Sequence, residues 1–234
     1  MTKKQSRCIN GYLGQNFIVK LCCYFKFLRA LEEDAVSILT LEFNYLRPYK
    51  REQLSTSGDR LADKNGGGNS HESEALSFEL LRCCFGAKLL NIEMEIQYFP
   101  RGGTKVDYTC SINGITLGVS VTRLVEKERR AKNIDPFNIR DVKKFLEKKL
   151  KGLQNALKNV MKKWDKPVLF VWAESPRLAK LAEDAWENID ECLKANTILF
   201  SVSVGEEYCS MFHNPNYFKN KVTMTTSSRK RMND

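Results

Sequence analysis

Histidine is nearly missing from this chain: 234 residues contain two, His71 and His213. Neither lies in a well-patterned core element, which argues against a Ser-His-Asp or Cys-His nucleophile and the acyl chemistry it performs. The eight cysteines (Cys8, Cys22, Cys23, Cys83, Cys84, Cys110, Cys192, Cys209) contain no C-x-x-C pair. Structural zinc sites pair their ligands a few residues apart, so this spacing excludes one. Most of these cysteines are expected to be small buried apolar residues of a reducing compartment. The dinucleotide fingerprint is absent, and Gly66-Gly67-Gly68 lacks the strand before it and the Lys-Ser/Thr after it that a phosphate loop needs. No long apolar run exists either. The stretch 17–31 is interrupted by Lys20, Lys26 and Arg29, which rules out a membrane span and a secretory signal. Nucleus or cytoplasm is the expected address. A mitochondrial presequence in the basic, acid-free first 31 residues is the less favoured one.

What is present is positive charge and a foldable composition. Lys and Arg number 38 against 28 Asp and Glu, a net charge of +10, while 42% of residues are hydrophobic. That apolar fraction suffices for a buried core, and the basic excess favours a polyanion, since each neutralised phosphate releases condensed counterions. Nucleic acid is therefore the expected partner and a protein partner the alternative, with no membrane role.

The chain divides by composition. Residues 1–54 form an N-terminal extension, with a helix conceivable over 17–35 and a strand over 37–45. Residues 55–73, rich in Gly, Ser, Asp and Asn, are expected to be a flexible linker. Residues 74–208 carry the α/β domain, and 221–234 a disordered basic tail. Within the domain Leu76, Leu80, Cys84 and Ala87 space a helix. Residues 90–98 alternate strictly, with Glu93 and Glu95 on one face and Ile92, Met94, Ile96 and Tyr98 on the other. A second strand is expected over 105–112, with Asp107, Thr109 and Ser111 on its polar side, and a third over 115–122. Asn113-Gly114 between them is a type I′ hairpin signal. Then come a long helix over 138–164 and a buried strand over 168–172. Next are a helix capped by Ser175 with Pro176 in its first turn, and a last buried strand over 197–204.

The order helix, three-stranded meander, helix, strand resembles the αβββαβ core of the PD-(D/E)XK nuclease superfamily, over roughly residues 73–204. The resemblance implies a restriction endonuclease-like α/β fold with a central mixed sheet flanked by helices. It also implies magnesium or manganese held by carboxylates for phosphodiester hydrolysis. Asp107 matches the family's second-strand aspartate and Glu79 its first-helix acid. The third strand departs from the pattern. Where E-x-K is expected, its polar face reads Ser120 and Thr122, followed by Arg123. Two readings stay open. The site has migrated, with Glu93 and Glu95 joining Asp107 as metal ligands and Arg123 replacing the lysine, or the fold survives as a binding scaffold without catalysis.

The long helix is strongly basic outside its apolar stripe. Arg140, Lys144, Lys148 and Lys151 fall on adjacent turns and form a ridge, extended by Arg129, Arg130 and Lys132 in the preceding loop. Such a ridge is suited to following a phosphate backbone without reading bases. A non-nuclease α/β interaction module with a basic surface is the third reading.

Overall fold

The computed structural model describes residues 9–13, 17–21, 24–33, 36–45, 54–63, 70–126, 129 and 132–204. Its eight strands are β1 (Ile9–Leu13), β2 (Phe17–Leu21), β3 (Ser37–Tyr45), β4 (Lys88–Ile92), β5 (Tyr108–Ile112), β6 (Ile115–Leu124), β7 (Lys166–Ala173) and β8 (Ile198–Val204). Its helices are α1 (Tyr24–Glu32), α2 (Thr56–Asp63), α3 (His71–Phe85), α4 (Ile139–Asn159), α5 (Pro176–Glu187) and the single turn α6 (Glu191–Lys194).

Among the described residues all eight strands join one mixed sheet in the order β1-β2-β3-β8-β7-β6-β5-β4. The central four, β3, β8, β7 and β6, run parallel. Antiparallel strands extend the sheet at both ends, β2 and β1 beyond β3, and β5 and β4 beyond β6. Every residue of β7 and β8 is buried, as expected of parallel strands covered on both faces, which read as continuous apolar runs rather than alternations. One core lies beneath α1, α2 and α3 and includes Phe27, Leu61, Leu76, Val119, Phe170 and Phe200. The other lies beneath α4 and α5 and includes Leu146, Leu153, Leu169, Val171, Ala182 and Leu199. No helix among the described residues is long and apolar enough to cross a membrane.

Several local expectations hold. The strand at 37–45 has the expected limits, Ser175 accepts the Leu178 N–H as an N-cap, and Pro176 sits in the first turn. Ile112 pairs with Ile115 across a turn in which Asn113 and Gly114 have φ of 50° and 83°. Both left-handed, these are the angles a type I′ turn demands.

Other expectations are corrected. The described residues before 54 are no separate extension, because β3 is an interior strand with Leu39, Leu41 and Phe43 in the core. The helix expected over 17–35 divides into β2 and α1: Phe17–Leu21 pairs with both β1 and β3, and tertiary pairing overrides a mixed apolar pattern. The linker expected at 55–73 contains α2 and the start of α3. Ser55 Oγ accepts the Gly58 N–H at the start of α2, and Leu61 is buried. The strand expected over 90–98 ends at Ile92 in a 3-10 turn at Glu93–Glu95, where Glu95 accepts the Ile92 N–H and Ile96 N–H bonds Glu93 O. Finally, α4 stops at Asn159. Phe99 N–H bonds Asn159 O and Met161 N–H bonds Gln97 O, so 97–99 pairs with 159–161 and Met161 is 65% exposed rather than on the apolar stripe. Of the described cysteines, Cys110 is buried, Cys83 and Cys84 are half-buried and Cys192 is exposed, so burial does not explain all of them. Arg130, His213 and the tail at 221–234 lie outside the described residues.

Candidate functional site

Asp107 stands immediately before β5, where that strand parts from β6. Its N–H bonds Val119 O at 2.9 Å, and its Oδ2 accepts the Val121 N–H at 2.6 Å. The carboxylate thus supplies the acceptor that the departing strand no longer offers. Burial foremost, then Glu74 on α3 and, more weakly, Glu93 together push the carboxyl up to about 7. The Val121 hydrogen bond and the ammonium of Lys149 on α4 pull it back. A carboxyl that changes charge near neutrality between two glutamates and a lysine is the kind of group found at functional sites.

The structure places the other expected residues differently. Glu79 is buried and pairs with the exposed Arg82, accepting from its Nε at 2.9 Å and Nη2 at 2.8 Å, and from the backbone and hydroxyl of Ser55. It fastens α2 to α3. The helix acid that acts on Asp107 is Glu74, five residues earlier. Ser77 bonds the Tyr108 hydroxyl at 2.9 Å, and Glu74 lies one turn before it on the same face of α3, near enough to raise the Asp107 carboxyl. Sequence reading missed Glu74 because it looks like an ordinary first-turn acid; its burial is the distinguishing mark. Lys149 was legible only as one of many lysines.

Glu93 remains near Asp107, with its Oε1 4.0 Å from Lys105 Nζ. Glu95 turns away, paired with Arg60 and bonded to Ile92 N–H. Arg123 stays on the α3 side of β6, as strict alternation requires. It is in register with Trp172, whose indole donates to Ser73 O at 3.0 Å. It therefore does not replace a lysine beside Ser120 and Thr122, which belong to the α4 side. Among the described residues no group of three or more His, Cys, Asp or Glu side chains is arranged to hold a metal. With Glu79 and Glu95 already engaged, the residues present do not fit the magnesium or manganese centre that the resemblance implies.

The basic ridge is intact. Arg140, Lys144, Lys148, Lys151 and Lys158 are exposed along α4, spanning about 27 Å at 1.5 Å per residue. The two acids of this helix turn aside: Asp141 lies 3.4 Å from Arg129 and Glu147 lies 3.9 Å from Lys143. Arg129 also stacks its guanidinium 4.3 Å from the centre of the Phe137 ring, so it is less available than Lys132, which is exposed.

No family model and no solved structure matches the chain. It is similar to the AAC-rich mRNA clone AAC4 protein of Dictyostelium discoideum, 36% identical over 153 residues. That match takes in 63% of this chain and 22% of the relative, so the chain spans well under a third of the relative's length.

Proposed function

We propose that this protein binds nucleic acid along α4, on a nuclease-like α/β scaffold that works as a binding surface rather than a metal-dependent hydrolase. The observation that carries the reading is the ridge: five exposed cations in line, with the acids of the same helix paired elsewhere. A merely solvated helix face interleaves both signs; this one does not. Supporting the scaffold reading, α3, β4, β5, β6, α4 and β7 follow the αβββαβ order, and β4 to β7 are successive neighbours in the sheet. Binding is preferred to hydrolysis because Glu79 and Glu95, two of the acids expected to hold a metal, are spent on Arg82, Ser55, Arg60 and backbone amides.

The test is fluorescence anisotropy with labelled oligonucleotides across a salt series. Up to five phosphates neutralised on a duplex give a slope of log affinity on log salt near −4 to −5, by about −0.9 per phosphate. Replacing Lys144 and Lys148 by Ala should flatten that slope by about 2. Salt-independent or absent binding refutes the reading. Magnesium-dependent strand cleavage that Asp107→Ala abolishes would refute the preference for binding over hydrolysis.

A further inference from the structure

At the C-terminal end of the ridge lies a cavity of about 230 Å³, between β4, the 93–97 turn and residues 160–164. Its walls are graded. The inner residues are neutral: Thr109 and Trp164 are buried, and Asn91, half-buried, accepts from Thr109 Oγ1 at 3.2 Å, which leaves its amide N–H groups to donate. At the exposed mouth stand Gln97, Lys162 and Lys163, with Lys163 Nζ bonded to the last carbonyls of α4, Leu157 O and Lys158 O. The acid at the mouth, Glu95, is ion-paired with Arg60.

Trp164 supplies the second observation. Its indole lies flat on β6, so close that a Cβ at Gly118 would come within 2.3 Å of Cε2. The residue is 4% exposed, yet its Nε1–H meets no acceptor among the described residues. Buried donors are nearly always paired; this one lies over Gly118 and is itself shielded, so what the indole gives the cavity is an aromatic wall. The volume is below the roughly 300–1,000 Å³ of sites for drug-sized ligands, so it takes one ring system rather than a dinucleotide. A neutral amide and an aromatic wall inside, with lysines outside, suit a heterocycle carrying a phosphate at its outer edge. A bare anion would instead call for the cations at the back.

We infer that this cavity receives a single unstacked nucleobase of a single-stranded nucleic acid whose backbone follows the α4 ridge, with Lys162 taking the adjoining phosphate. Met161, 65% exposed, lines the mouth, and Phe99, 74% exposed, lies on the segment paired with residues 159–161; both offer faces on which the neighbouring base can stack. The inference rests on the nucleic-acid reading above and adds preference for an unpaired base.

The full chain is titrated with three probes: a mixed-sequence single strand, the same strand made entirely of abasic sites, and a blunt duplex. The base-bearing strand should bind about tenfold or more tightly than the abasic one. Asn91→Ala, which removes the amide donor, and Gln97→Ala, at an exposed position, should each erode that ratio while leaving the salt slope unchanged. Lys144→Ala with Lys148→Ala should weaken all three probes and leave the ratio intact. Equal affinity for the base-bearing and abasic strands, or a ratio unmoved by Gln97→Ala and by a folded Asn91→Ala, overturns the base pocket even if salt-dependent binding persists. Loss of salt-dependent binding to every probe overturns the nucleic-acid reading, and the pocket with it.

Discussion

Replacing Asp107 by Asn removes one charge and keeps the oxygen that accepts the Val121 N–H, so it isolates the electrostatic cost of this carboxyl. In an unfolded chain an aspartate titrates near 3.9, whereas burial, with Glu74 and Glu93, pushes the native group up to about 7. Below about pH 4 both states hold the proton and the shift costs nothing. Between about pH 4 and 7 the native state keeps a proton that the unfolded state has released, so stability falls as pH rises through that window. At about 1.4 kcal/mol per pH unit, roughly three units set an upper limit near 4 kcal/mol, levelling off above neutrality. Urea unfolding of wild type and Asp107→Asn should therefore coincide near pH 4. Near pH 8 the variant should be more stable, by about 2–4 kcal/mol. A variant less stable than wild type near pH 8, or parallel pH profiles, would show that the ionised carboxylate is well solvated or paired and refute the reasoning. Millimolar magnesium added near pH 8 extends the test. Selective stabilisation of wild type would mean that Asp107 has metal-binding partners after all.

Two further substitutions probe the frame around the site. Gly118→Ala forces a methyl into the Trp164 ring and should cost about 1–3 kcal/mol, read as a fall of several degrees in the thermal midpoint; an unchanged midpoint would mean that the ring moves freely. Glu79→Ala strips Ser55 and Arg82 of their shared acceptor and should cost about 2–4 kcal/mol. Because Glu79 fastens α2 rather than holding a metal, oligonucleotide affinity of the folded variant should match wild type.

Local chemistry was legible where local interactions decide the backbone. Asn113-Gly114 specifies its own turn, Ser175-Pro176 its own helix start, and the continuous apolar runs of β7 and β8 admit only strands covered on both faces. The basic ridge was legible for the same reason, since helical spacing alone places 140, 144, 148 and 151 together. Where an element depends on a distant partner, the pattern misled. Residues 93–98 alternate as a strand would, yet Glu95 folds back on Ile92 N–H and pairs with Arg60 from α2, a helix hidden in a linker-like composition. The strand β2 owes its form to β1 and β3, and the exposure of Met161 to the pairing of 97–99 with 159–161. The candidate site divides the same way. Asp107 stands out by residue type alone, because the alternation reads as a strand there and aspartate is depleted in strands. That its neighbours are Glu74, Glu93 and Lys149, and not Glu79, Glu95 and Arg123, follows from how two helices and a turn close around one strand end. Sequence spacing carries no record of that arrangement, because each of those contacts joins residues from separate elements.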